Sequence, residues 1–95
     1  MKSPKIIVSE INHYWVHFQA GRAGNSVLYP RVIIKCYHDD DYVLQASFYP
    51  DNKTLPVNYH DVNSKLVYLR FHLHMYDSTI DILRNEKPIF FSYSE

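Results

Sequence analysis

The stretch YLRFHLHM, residues 68–75, alternates apolar and polar side chains almost without a slip, and HYWVHF at 13–18 has the same period. Successive side chains leave a pleated backbone on opposite sides, so a two-residue period marks a strand with one buried and one open face. This period dominates the chain and commits it to a sheet, and the parity of the apolar residues sets which side of each strand is buried.

The strands follow from it. Residues 12–20 place Tyr14, Val16, Phe18 and Ala20 on one side and His13, Trp15, His17 and Gln19 on the other. Ile6 and Val8 continue the apolar parity, whereas Glu10 and Asn12 interrupt it, which predicts a bulge or bend between residues 9 and 12. Both glycines lie in Gly21-Arg22-Ala23-Gly24, followed by Asn25. A GxxG loop with a basic residue grips a nucleic-acid backbone when helices flank it, but flanking strands make it a hairpin turn with Gly and Asn at positive φ. A second strand, residues 26–37, carries Leu28, Val32, Ile34 and Cys36 on one side and Tyr29, Arg31, Ile33, Lys35 and Tyr37 on the other. Pro30 has no N–H, so this strand should begin beyond it or lie at an edge there.

His38-Asp39-Asp40-Asp41 makes the next turn, and a third strand, residues 42–49, buries Leu44, Ala46 and Phe48 while turning Val43, Gln45, Ser47 and Tyr49 outward. Residues 50–65 contain turn residues throughout and read as a long loop, a frequent home of function. A fourth strand spans residues 66–75. The period then changes: Tyr76, Ile80 and Leu83 share a helix face, Ser78 and Asp81 have the spacing of a capping box, Arg84 and Lys87 suit a helix C-terminus, and Pro88 ends the run. IFFSY, residues 89–93, is the last strand.

The order β-β-β-β-α-β predicts an α+β fold in a single domain, residues 1–95, with an antiparallel sheet of about five strands and one short helix before the last. Four consecutive strands predict a meander, with the fifth at an edge or between two others. Five strands at about 4.8 Å span roughly 24 Å, whereas a helix is about 10 Å across. One helix cannot cover that core face, so the sheet should curl into a half-barrel or take cover from a second copy.

The apolar parities must share the core side, which gathers His13, Trp15, His17, Tyr29, Arg31, Ile33, Lys35, Tyr37, Gln45, Tyr49, Tyr68, Arg70, His72 and His74 on the other. None of the ten carboxylates belongs to this set. Solvated strand faces mix both charge signs, so an aromatic, histidine-rich, weakly cationic face predicts a contact surface. Trp, Tyr and Arg are enriched at binding hot spots and Lys, Asp and Glu depleted in interface cores. The predicted interaction face is therefore Trp15, Tyr68, Arg70, His72, His74, Arg31, Tyr29, Tyr37, His13 and His17, with Trp15 and Tyr68 as anchors and Arg31 and Arg70 as orienting donors. A homodimer is its simplest use.

Other chemistries rank lower. Lys plus Arg equals Asp plus Glu at ten each, so no long-range field draws in nucleic acid, anionic lipid or acidic substrates. Single-stranded nucleic acid could stack on Trp15, Tyr29, Tyr37, Tyr49 and Tyr68, but only Arg31, Lys35 and Arg70 are fixed cations there, which implies a salt slope of about −2. His72 and His74, roughly 7 Å apart at Cα, could chelate a metal given a third ligand, whereas His13 and His17 are roughly 13 Å apart. HDDD at 38–41 lacks the glycine and spaced oxygens of a calcium loop. Cys36 has core parity, and His60-Asp61 has no identifiable nucleophile, so neither an enzyme nor a cofactor is expected. A lone cysteine excludes an intrachain disulfide and fits a reducing compartment. The first apolar run is too short for a signal peptide, and none nears the roughly 20 residues of a membrane span, so a soluble cytoplasmic protein is expected.

Overall fold

In the computed structural model, residues 6–18 and 30–94 are described. They form β1 (Ile6–Ile11), β2 (His13–Phe18), β3 (Val32–His38), β4 (Asp41–Tyr49), β5 (Tyr59–Asp61), β6 (Leu66–His72), a 3₁₀ turn (Leu73–Met75), α1 (Tyr76–Asn85) and β7 (Ile89–Ser94). One sheet has five strands in the order β2-β3-β4-β6-β5, and β1 and β7 make a separate two-stranded ribbon. The fold is α+β with one short helix before the last strand, as expected. Among the described residues, no helix is long and apolar enough to cross a membrane.

The meander expectation fails at β4. Residues 59–61, inside the predicted loop, form β5, which pairs antiparallel with β6, so β6 enters the sheet parallel to β4 and the sheet is mixed. Alternation reports which face a side chain takes and carries no information about which strand lies alongside. The last strand also departs from expectation: β7 pairs with β1 instead of joining the main sheet. Among the described residues the sheet ends at β2 and β5 and does not close into a barrel. Its core face is covered by α1 and the ribbon, whose Ile11, Ile80 and Leu83 join Val32, Ile34, Cys36, Leu44, Ala46, Phe48 and Val67 in one cluster.

The predicted bend falls at Asn12, where the chain leaves the ribbon and enters the sheet. Asn12 Nδ2 donates to Asp39 Oδ1 at 2.9 Å, and the Asp39 N–H donates to Asn12 Oδ1 at 2.8 Å. This reciprocal pair ties the crossing to the β3–β4 hairpin, where Asp39 takes a positive φ of 55°, a conformation Asp tolerates better than most residues. The crossing also flips parity. Ile7 and Ile11 face the core in β1, whereas Tyr14 and Val16 do so in β2, leaving Ile6 and Val8 exposed. Phe18, of core parity, lies 67% exposed, its ring centre 6.2 Å from that of Tyr76 in an edge-on arrangement.

A second irregularity re-sorts β4. Cys36 pairs with Leu44, but Tyr37 pairs with Tyr42, so Val43 is one residue too many. Such a bulge turns the side chains beyond it by one position. Val43 therefore packs against the core, and Tyr42 moves to the open face. In α1, Tyr76, Ile80 and Leu83 face inward as their spacing predicts, but the Ser78 capping box does not form: Met75 is the N-cap and makes no side-chain bond. The 3₁₀ turn feeds straight into the helix, so the first turn needs no separate cap.

Candidate interaction face

Pairing aligns the side of the sheet opposite α1 into rows. Trp15, Lys35, Gln45, Tyr68 and Tyr59 stand side by side across all five strands. The neighbouring rows are His13–Tyr37–Tyr42 and His17–Ile33–Ser47–Arg70. Cross-strand neighbours have Cβ atoms about 4.5–5.5 Å apart, within reach of long side chains and rings.

These side chains hold one another. The Trp15 indole N–H donates to the Tyr37 hydroxyl at 3.1 Å, and the His13 ring lies 5.4 Å from that of Tyr37. Tyr37 stacks on Tyr42 at 5.2 Å; Tyr42 donates to Gln45 Oε1 at 2.7 Å, and Gln45 Nε2 donates to Ser47 at 3.2 Å. Lys35 Nζ sits 4.7 Å from the centre of the Trp15 ring, close enough for a cation–π attraction. On the far side, Tyr59 and Tyr68 stack at 4.6 Å, and the Arg70 guanidinium lies 4.9 Å from Tyr59 and 5.3 Å from Tyr68 while donating to the Val57 carbonyl at 3.0 Å.

Two of the phenols, Tyr42 and Tyr68, are held in the neutral form further into alkali than a free tyrosine. Burial, reinforced by the charges that Tyr68, Tyr37 and Cys36 would carry if ionised, pushes the Tyr42 hydroxyl above the ordinary phenol range. Burial, with Tyr59 and Asp61 beside it, moves Tyr68 the same way. A raised phenol favours the fold below the unfolded value of 10.0, and that contribution is lost as the pH climbs above it. Tyr42→Phe is therefore expected to flatten the alkaline fall in melting temperature between pH 9 and about pH 11, while costing about 0.5–1.5 kcal/mol at neutral pH through the lost bond to Gln45. Thermal melts of both proteins across that range check it; parallel alkaline curves would refute the assignment.

Of the predicted face, His13, Trp15, His17, Tyr37, Tyr68, Arg70 and His72 share the open side of the strands. Trp15 is 42% exposed. Ile33, Ser47 and Tyr49 have the same parity but are buried, so the accessible part of the face centres on the Trp15 and Tyr37 rows. Arg31 is exposed just before β3, its N–H donating to the Phe48 carbonyl at 2.7 Å. Tyr29 and the Gly21–Asn25 loop lie outside the described residues.

His74 does not belong to the face. β6 ends at His72, and His74 sits in the 3₁₀ turn, where its N–H donates to Asp51 Oδ1 at 3.0 Å and its Nδ1 lies 3.2 Å from the same oxygen. That backbone bond holds the Asp51 carboxyl below its ordinary range. The turn folds back over residues 50–53 to satisfy these groups, which two-residue periodicity cannot anticipate. His72 and His74 stack at 5.9 Å, but His72 Nε2 donates to the Lys53 carbonyl at 2.8 Å. Among the described residues, no three His, Cys, Asp or Glu side chains converge on a point that could hold a metal.

Two face residues escape a reading of the sequence. Tyr42 is out of phase until the Val43 bulge is known, and Tyr59 is hidden in a stretch of turn residues. Asp61 ends β5 beside Tyr68, and its carboxylate accepts from the Asn63 N–H at 3.0 Å and the Ser64 N–H at 3.5 Å. Comparison of the chain with protein families, curated proteins and solved structures finds no match.

Proposed function

We propose that this chain is a small, non-catalytic protein-interaction module that self-associates through the aromatic, histidine-bearing face of its five-stranded sheet. The observation that carries this is the row Trp15–Lys35–Gln45–Tyr68–Tyr59, about 19 Å from first strand to fifth, in which no residue is acidic. Rings already held by hydrogen bonds and stacking lose little freedom on docking, which favours tight contact for a given area. The chain's formal charge of zero at pH 7 lets identical surfaces approach without net repulsion.

Nucleic acid is the weaker reading. Tyr59 and Tyr68 stack on each other, and Lys35 and Arg70 lie over rings, which occupies faces that a base would need.

Trp15→Ala is expected to convert a dimer to monomer, since truncating a hot-spot residue costs about 2 kcal/mol or more, roughly thirtyfold in Kd. Sedimentation equilibrium checks this, and an unchanged mass distribution removes Trp15 from the contact. Tight binding of short single strands in low salt by a monomeric wild type would favour nucleic acid instead.

A further inference from the structure

We infer that a second copy docks on the open edge of β2, its own β2 running antiparallel about a two-fold axis at Trp15, so that two five-stranded sheets join into one of ten strands. The inference rests on the self-association proposed above and specifies its geometry.

β2 ends the sheet, and among the described residues no strand pairs on its outer side. Alternate N–H and C=O groups along such an edge point outward unpaired, ready to continue the ladder. Proteins normally blunt an exposed edge with Lys, Pro, a carboxylate or a covering loop. The sequence HYWVHF has none of these residues. The other edges do. β5 is three residues long, and beyond it Asn58 Oδ1 accepts the Arg70 N–H at 2.7 Å. In the ribbon, β1 carries Glu10 and β7 follows Lys87-Pro88.

Two features select a copy of this chain as the occupant. A two-fold contact brings any charge near the axis close to its own copy, so a fixed charge there would repel; β2 has no fixed charge. A symmetric pairing must also keep the core-side and open-side residues of both copies on their own sides, which requires opposed residues of equal parity. Centring on Trp15 does this over the whole strand. Trp15 faces Trp15 of the second copy, His13 faces its His17, and half-buried Tyr14 faces its Val16. Cross-strand aromatic pairs are among the stabilising ones. The two open faces then merge, with both Trp15 rings at the centre of a row ten strands wide.

The register makes charge patterns testable, because His13 and His17 are roughly 13 Å apart within one copy but adjacent across the axis. His13→Lys with His17→Lys places Lys against Lys twice and is expected to weaken the dimer about tenfold. His13→Lys with His17→Glu places Lys against Glu and should keep wild-type affinity or better. His13→Cys with His17→Cys, which keeps Trp15, should form a disulfide-linked dimer under mild oxidation, because opposed Cα atoms lie about 4.5–5.5 Å apart, inside the range a disulfide spans. Tyr68→Cys, three strands from the edge, should not. Buried Cys36 leaves these experiments undisturbed.

A wild type that stays monomeric at every concentration overturns self-association and the edge contact together. A dimeric wild type in which the variant carrying His13→Cys and His17→Cys fails to cross-link, or Tyr68→Cys links instead, overturns the edge contact alone and leaves a face-to-face dimer. Equal weakening by both charge pairs overturns the Trp15-centred register.

Discussion

Phe48→Ala is expected to remove about 3–5 kcal/mol of stability, the cost of truncating a buried aromatic side chain. Phe48 is entirely excluded from solvent on β4, between β3 and β6. Its ring stacks on Phe71 at 5.3 Å and meets the edge of Tyr76 at 5.5 Å, so it is where sheet, helix start and strand β6 converge. The cavity cannot collapse easily, because its walls are backbone-paired strands on both sides. A domain of this size has about 5–15 kcal/mol to lose, so the variant should be partly unfolded at 37 °C. Phe48→Leu, which keeps most of the volume, should cost far less. Urea titration of the three proteins measures the ranking, and equal midpoints for Ala and wild type would show that Phe48 is not the hub.

Cys36 is expected to resist alkylation by a factor of about a thousand relative to the unfolded chain. It is 1% exposed, and burial pushes its thiol from 9.0 up to about 12. The thiolate is the reactive form, so a rise of about three pH units lowers its population about a thousandfold at pH 8, before access is considered. Labelling should then proceed only through opening of the β3–β4 core and accelerate with urea in step with unfolding. Mass spectrometry during iodoacetamide treatment gives the rate. Fast labelling of the native protein would place the thiol in a reactive setting and revive a nucleophilic role.

Much of the sheet was legible because burial on a strand is written residue by residue. The parities of β2, β3 and β6 correctly sorted Trp15, Tyr37 and Tyr68 from Val16, Ile34 and Val67, and the spacing of Tyr76, Ile80 and Leu83 identified the helix face. The misassignments fall where the period slips. Val43 and Tyr42 exchange sides at a bulge, Ile6 and Val8 lie beyond the flip at Asn12, and His74 follows the end of β6 into a 3₁₀ turn. A single inserted or re-aimed residue reverses every side chain after it, and nothing in local composition marks the place.

The amino-acid order alone determined the α+β class, the short helix before the last strand, and the sorting of Trp15, Tyr37 and Tyr68 from Val16, Ile34 and Val67, because each follows from local periodicity. Only the tertiary structure decided that β6 runs parallel to β4, that β7 turns away to pair with β1, and that β2 is an end strand of the sheet among the described residues. Strand partnership is set by competition among distant segments whose backbone hydrogen-bonding groups are the same in every residue but proline, so the local two-residue period does not reveal it.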